Sequence, residues 1–527
     1  MTFVSPHADV VLPERGLHAY LFAGLGPADL DRVALVSAES GDMLTYGSLR
    51  TSVDEFAAEL AARGVRPADT VALLCPNVPA FAVAFHGILR AGATVTTVNV
   101  LSTVAEIAKQ LTASGARTLV TVTSLAAKAG EAVGAAGLHP GATLILDAER
   151  PPVSGPAPAP DRFDPAERVA VLPYSSGTTG LPKGVMLTHR NLAANIAQLT
   201  PVLDLRSDDV VLAVLPFFHI YGMSVLLNST LAARGRVVTM ARFDLSAFLE
   251  AVQRHRVTYL FIAPPIAVAL AKHPMVDSYD LSSLRAIVSG AAPLDEELGA
   301  AVARRLSVPV VQGYGMTELS PVSHLVPVAD GGAGVAGCRA PIEAAGWPLP
   351  NTVNKLVAPA TGAEIGVPAD GLSEPGELWV RGPNVMAGYL GNPQATAETL
   401  DAEGFLHTGD LARVDATGCV YIVDRIKELI KYKGYQVAPA ELEALLLTHP
   451  EITDAAVIGV ADAEGEETPK AFVVAADPAL SAARVMEFVA AQVAPYKKVR
   501  AVEFVAAIPK SSAGKILRKE LRSNQPL

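Results

Sequence analysis

Cysteine is the scarcest chemistry in this chain. There are three in 527 residues, and Cys75, Cys338 and Cys419 lie far apart with no Cys-x-x-Cys or Cys/His spacing. That pattern excludes a disulfide framework and a structural zinc site, and it leads us to expect a reducing cytoplasm. Positive charge is also short. With 42 Lys and Arg against 53 Asp and Glu, the formal net charge is −11, which argues against nucleic acid as a partner. The opening "MTFVSPHADVVLPERG" lacks a basic stretch followed by an apolar one, so no secretory signal is expected. Long apolar runs are missing as well. The best candidate, uncharged from Thr70 to Leu89, is broken by Pro76, Asn77 and Pro79, which predicts a strand, a turn and a short helix in place of a transmembrane segment. What remains is half hydrophobic and too long for one core, so a large globular protein of at least two domains is expected.

Two nucleotide fingerprints are absent too. No Walker A loop can be written, and although "GAGVAG" at 332–337 fits Gly-x-Gly-x-x-Gly, the prolines of the following "CRAPIEAAGWPLP" forbid the helix a dinucleotide needs. From about residue 54, helical runs alternate with apolar β-rich runs: "EFAAELAARG", "TVALLC", "AFAVAFHGILRAG", "TVTTVN", "VAEIAKQLTASG", "TLVTVT". This predicts an α/β fold of mostly parallel sheets covered by helices. The Pro-rich stretch at 151–160 reads as a surface loop, because the alternation resumes at "RVAVLPYSS". A boundary is expected near Arg425. Beyond it a helix, strand, strand, helix order suits a compact α+β module of about 100 residues.

The stretch "YSSGTTGLPKGVMLTHRNL", residues 174–192, combines glycines, hydroxyls and one lysine. Glycines let backbone approach a ligand, and N–H and hydroxyl donors cradle anionic oxygens, so Ser175, Ser176, Gly177, Thr178, Thr179, Gly180 and Lys183 form a candidate polyphosphate loop. We expect it at a strand-to-helix turn, with Thr188 as the helix N-cap. Other stretches offer the rest of a nucleotide site. "LPFFHIYG" places His219 and Tyr221 after an apolar strand, and "VSGAAPL" leaves open backbone at Gly290, Ala291 and Ala292. "VQGYGMTELSP" supplies Gln312, Gly313, the flat ring of Tyr314, Gly315, Met316, Thr317 and the carboxylate of Glu318. Asp410 of "HTGDL" is a natural acceptor for ribose hydroxyls, and Arg425 follows. In the tail "IPKSSAGKILRKELR", Lys515 follows a Ser/Gly-rich turn from which it can swing toward a phosphate.

These motifs, in this order over nearly the whole chain, resemble the adenylate-forming enzymes: acyl- and aryl-CoA synthetases, firefly luciferase and nonribosomal adenylation domains. The likeness is greatest to 4-coumarate–CoA ligases, through "SSGTTGLPKGVMLTHRNL", "FHIYG", "QGYGMTELSPV", "GELWVRGPNVMAGYL", "LHTGDL", "VDRIKELIKYKGYQVAPAELEALL" and "AGKILRKELR". The resemblance implies a large N-terminal domain of several subdomains, residues 1–425, and a small mobile C-terminal domain, 426–527, with a hinge near Lys427. It implies an ATP-dependent carboxylic acid–CoA ligase working through acyl-AMP, with ATP, Mg²⁺ and coenzyme A as requirements and a 4-coumarate or cinnamate-type acid as substrate. A medium-chain fatty acyl-CoA ligase and a module that delivers an adenylated acid to a carrier protein are the alternatives. Carried over residue by residue, Ser175 to Gly180 and Lys183 hold the phosphates, and Glu318 with Thr178 holds the metal. Gly290 to Ala292 and Gln312 to Thr317 frame the adenine, and Asp410 and Arg425 bind the ribose. Lys515 is the adenylation lysine, Lys431 and Gln436 meet the adenylate, and Arg242, Lys433 and Gly434 meet CoA. The acid pocket is expected from His219, Tyr221, Ser224, Ile262, Val288, Gly290, Gly315, Pro321 and Val322.

Overall fold

The computed structural model describes residues 1–148, 157–158, 162–175, 183–328, 340–432, 435–461, 467–511 and 514–523. The predicted alternation is realised at the start of the chain. Strand Thr70–Leu74 pairs in parallel with Thr94–Thr97 on one side and Thr118–Thr121 on the other. Helices Pro79–Arg90 and Val104–Ser114 return the chain between them. Thr103 caps the second by accepting from the Glu106 N–H, and Gly115 ends it in the left-handed region at φ 68°. The apolar run considered for a membrane thus becomes a buried strand and a buried helix, and no described helix is long and apolar enough to span a bilayer.

The nine-stranded sheet carries the second parallel array. Val33–Ser37, Arg236–Thr239, Val210–Ala213, Tyr259–Ile262, Ala286–Ser289 and Val310–Gly315 lie side by side in parallel, with antiparallel strands at both edges. Side chains alternate across a strand, so Tyr259 and Phe261 join one apolar core while Leu260 and Ile262 join the core on the opposite face. The carboxyl ends of the three strands from Tyr259 onward bring residues 288–291 and 313–317 to one edge. Crevices at that edge are where α/β sheets take ligands.

Two expectations need correction. The six-stranded sheet built on Val353–Val357, Gly376–Arg381, Leu406–Val414 and Val420–Arg425 is antiparallel, so "mostly parallel" holds for the other two large sheets only. The glycine-rich loop does not lead into a helix. Tyr174–Ser175 pairs antiparallel with Lys183–Thr188, in register Lys183 to Ser175, so the loop joins two strands, and helix His189–Leu203 starts only after the second. The apolar "VML" after Lys183 builds the second of these strands, an element that the expected strand-to-helix turn did not include. Thr188 does cap that helix, accepting from the Asn191 N–H at 3.1 Å.

Residues after Leu429 close cores of their own, built from Ile430, Leu442, Leu446, Ile452, Val457, Val473 and Val485, with a satellite around Phe472 and Leu521. Helix Pro439–Thr448, strands Ile452–Ala461 and Glu467–Ala475, and helix Ala482–Ala490 follow the expected order. A hairpin, Ile430–Tyr432 with Tyr435–Val437, precedes them, and Ala501–Phe504 adds a parallel third strand.

Candidate active site

Three groups of side chains converge at the carboxyl edge of the nine-stranded sheet. The first surrounds Glu318, which is 6% exposed. One carboxylate oxygen accepts from the Ser175 hydroxyl at 3.3 Å and the Tyr389 hydroxyl at 2.9 Å, and the Lys183 ammonium lies 4.8 Å from the centre of the Tyr389 ring. The predicted phosphate lysine and metal carboxylate are therefore neighbours through Tyr389. Sequence reasoning had not assigned Tyr389, although it lies in the quoted "GELWVRGPNVMAGYL". No described group of three His, Cys, Asp or Glu side chains gathers as a metal cage. A single buried carboxylate of this kind suits Mg²⁺, which keeps most of its ligands from phosphate and water.

The second group is Asp410, Tyr314 and Arg425. Cross-strand register places Asp410 opposite Arg425, whose guanidinium lies 3.3 Å from one carboxylate oxygen, while the Tyr314 hydroxyl donates to the other at 2.6 Å. Burial and the Asp410 charge push the Tyr314 pKa well up, so the phenol keeps its proton and acts as a donor. Both oxygens of Asp410 are thereby oriented and retain further lone pairs.

The third is a cavity lined by His219, Tyr221, Val225, Phe261, Val288, Gly290, Ala291, residues 313–317, Pro321, Val322, Leu325 and Lys515, and closed by Leu199 and Leu203. Two glycines make room for it. A Cβ on Gly290 would lie 3.0 Å from the Tyr221 ring, and one on Gly315 would lie 2.0 Å from the Pro321 carbonyl. The Tyr221 N–H donates to His219 Nδ1 at 3.4 Å, which leaves the Nε2 proton free to donate. Burial, with a smaller push from Lys515, lowers His219 to about 4, so the ring is neutral at physiological pH. Lys515 comes from the C-terminal module. Burial and Arg425 lower its pKa to about 8, against the pull of Asp410 and Glu318.

Several expected residues fall elsewhere. Ile262 faces the opposite core, because Phe261 takes the cavity-facing pleat. Ser224 is fully buried off the cavity wall; on the π-helix Tyr221–Ser229 it is Tyr221 and Val225, about one turn apart, that face inward. Gln312 does not line the cavity: its amide accepts from the Leu294 N–H at 2.7 Å and donates to the Leu294 and Ile342 carbonyls, so it pins the segment after Gly290. Ala292 follows cavity-lining Ala291, which holds a left-handed φ of 71°. Lys431 is exposed and its backbone N–H bonds Glu467, and Arg242 lies exposed after strand Arg236–Thr239. Lys427 sits in the turn between strands Val420–Arg425 and Ile430–Tyr432. Gln436 pairs with Lys431 through the backbone hairpin. Ser176 to Gly180, including Thr178, and Lys433 and Gly434 lie outside the described residues.

Comparison with known proteins bears on the whole chain. The AMP-binding enzyme family matches residues 27–390, and the AMP-binding enzyme C-terminal domain matches residues 441–515. Among curated proteins, 4-coumarate–CoA ligase 5 of Oryza sativa subsp. japonica is 43% identical, covering 99% of this chain and 97% of the relative. The 4-coumarate–CoA ligase 2 of Nicotiana tabacum is 41% identical over 99% and 96%. Among solved structures, the anthranilate CoA ligase AuaEII in complex with anthranoyl-AMP superposes with a TM-score of 0.86 at 25% identity, covering 98% of each chain. ATP-bound MatB from Rhodopseudomonas palustris gives 0.83 at 29%, over 97% of this chain and 99% of that one.

Proposed function

The chain belongs to the AMP-binding enzyme family, and on that premise we propose that it is an ATP-dependent acid–CoA ligase acting on cinnamate-type acids. The observation that carries this reading is the placement of Lys515 beside His219 in the lining of one apolar cavity, where Asp410 and Glu318 both act on the Lys515 charge. The acid carboxylate attacks the α-phosphorus of ATP, forming the mixed anhydride R–CO–O–AMP as the bond to diphosphate breaks. The CoA thiolate then attacks the acyl carbon and AMP leaves.

The first step brings two anions together, so its barrier is chiefly electrostatic. Lys515, as an ammonium, meets the charge developing between carboxylate and α-phosphate. His219, neutral with its Nε2 proton available, orients the carboxylate by donating to it. Asp410 accepts from the ribose hydroxyls while Tyr314 and Arg425 hold it in place, and Ser175 to Gly180 with Lys183 bind the β- and γ-phosphates. Glu318, with Thr178, would hold Mg²⁺, which when bound supplies charge neutralisation at the phosphates. For the second step the C-terminal module turns about the hinge near Lys427, bringing Lys431 and Gln436 to the adenylate, with Arg242, Lys433 and Gly434 toward CoA. The dispersed, buried cysteines Cys75 and Cys419 fit a reducing cytoplasm.

For the acid, the far wall is apolar: Leu199, Leu203, Val225, Phe261, Val288 and Leu325. An apolar wall discriminates against an added hydroxyl by only about 100-fold, whereas a site built to bond one rejects the analogue lacking it by about 10⁴-fold. Unsubstituted cinnamate is therefore a good substrate, and 4-coumarate is accepted within about 100-fold of it. The test is kcat/KM for cinnamate, 4-coumarate and octanoate, with diphosphate release followed with and without CoA. Octanoate exceeding both aromatic acids would replace the aryl reading with the fatty-acid one.

A further inference from the structure

Helix Pro264–Lys272 leaves the carboxyl end of the strand that carries Phe261 into the cavity. It meets the C-terminal module at both of its ends. At its start, Ala263 and Pro265 abut Gly514, the residue before Lys515: a Cβ added to Gly514, at φ 82°, would lie 3.1 Å from the Ala263 Cβ. At its far end, about 12 Å away at the α-helical rise of about 1.5 Å per residue, Lys272 Nζ donates to the carbonyls of Leu447 at 3.1 Å and Ile452 at 3.3 Å. Leu447 lies in the last turn of helix Pro439–Thr448, where carbonyls have lost their intrahelical partners, and Ile452 opens the strand that follows. Lys272 is also in the last turn of its own helix. One ammonium therefore serves the carboxyl ends of two helices, one from each domain, where both dipoles are negative. Glu297, on the neighbouring helix Glu296–Leu306, favours the charged form against partial burial.

We propose that Lys272 is a positioning residue that clamps the C-terminal module in the orientation that delivers Lys515 to the acid cavity. The contact depends on the placement of one domain against the other, and a rotation that withdraws Lys515 from the cavity breaks it. Its loss should weaken the adenylating orientation and leave the other orientation untouched. The inference rests on the two-step ligase reading above.

The experiment separates the half-reactions in the full chain, using the best acid of the substrate panel. Acid-dependent ATP–diphosphate exchange reports adenylation, and thioester formation from supplied acyl-AMP and CoA reports the second step. Lys272→Met should slow exchange about 5-fold, the net size of an ordinary hydrogen bond at a partly exposed contact. Lys272→Glu, which sets a carboxylate against two carbonyls, should slow it further, and Lys272→Arg should restore most of it. Thioester formation should not slow in any of the three. An equal fall in both half-reactions, as a damaged fold would give, overturns the clamp, and so does unchanged exchange in Lys272→Met. A wild-type protein with no acid-dependent exchange overturns the ligase reading and the clamp with it, whereas an active wild type with an insensitive Lys272→Met overturns the clamp alone.

Discussion

Lys515 shows how one side chain acquires its chemistry from its surroundings. Burial and the Arg425 charge bring its pKa to about 8, so it carries the proton below that pH and loses it above. If the ammonium is what neutralises the adenylation step, kcat/KM for ATP in acid-dependent diphosphate exchange falls as pH rises through about 8. Lys515→Arg, whose guanidinium stays charged, should lose that basic limb even if its plateau is lower. Lys515→Ala should slow adenylation by about 10²- to 10³-fold, as removal of one preorganised donor does, while thioester formation from supplied acyl-AMP survives. A basic limb persisting in Lys515→Arg would assign the titration to another group. Lys515, Asp410, Glu318 and Lys183 could be picked out in the sequence as candidates, because several charged side chains beside glycines and hydroxyls recur along it, and the fold brings all four to one region. Phe261 and Tyr389 could not. An apolar wall residue looks like any other core residue, and the choice between Phe261 and Ile262 turns on a one-residue register that only strand pairing decides.

At the scale of elements, the loop that presents Lys515 is held from both flanks. Lys510 bridges to Ile516 across the turn and bonds both Asp454 oxygens, at 2.8 and 2.7 Å. Arg518 bonds both oxygens of Glu443 at 2.7 Å, tying the start of helix Arg518–Ser523 to helix Pro439–Thr448. Glu443 also accepts from the Val457 N–H, and burial pushes its carboxyl up to about 7 against the pull of Arg518. With its carboxyl already near neutrality, Glu443 takes up a proton when its partner is removed, so the cost is that of the lost hydrogen bonds. Arg518→Met should therefore lower stability by about 1–3 kcal/mol, whereas the double variant Arg518→Met with Glu443→Leu should recover part of it. Urea midpoints of the two variants and the wild type provide the measurement; a double variant worse than the single would show that the pair is not the unit. The helices and parallel strands around residues 54–121 were legible because periods of 3.6 and 2 survive in sequence. The antiparallel sheet and the strand Lys183–Thr188 were not, since a short apolar run carries no sign of whether its partner runs parallel or antiparallel.

Across the whole molecule, the interior holds titratable groups that the reaction does not use. His86 and His324 are completely buried and His189 is 2% exposed, and burial lowers each to about 3. Their environments need the neutral ring. His189 Nδ1 accepts from the Leu17 N–H at 3.1 Å, and His86 packs edge-on against Phe22 and Phe85 with ring centres 5.1 Å apart in both cases. In the unfolded chain a histidine takes up a proton near pH 6.5, while these remain unprotonated in the folded state until about pH 3. Between those limits the unfolded state binds more protons, so stability rises with pH and is lost as pH falls below about 6.5. At about 1.4 kcal/mol per pH unit for each group, the loss at pH 5 is on the order of 2 kcal/mol per histidine. Three such groups together rival the 5–15 kcal/mol that typically holds a domain folded. The protein should therefore unfold cooperatively in mild acid, well above the pH at which its surface carboxylates titrate. His86→Phe tests the cause directly. The substituted ring keeps the aromatic packing and removes one proton-binding site, so the urea midpoint should depend less steeply on pH between 6.5 and 4, with the acid transition moved downward. An unchanged slope would mean that His86 is protonated or hydrated in the folded protein and that acid sensitivity arises elsewhere.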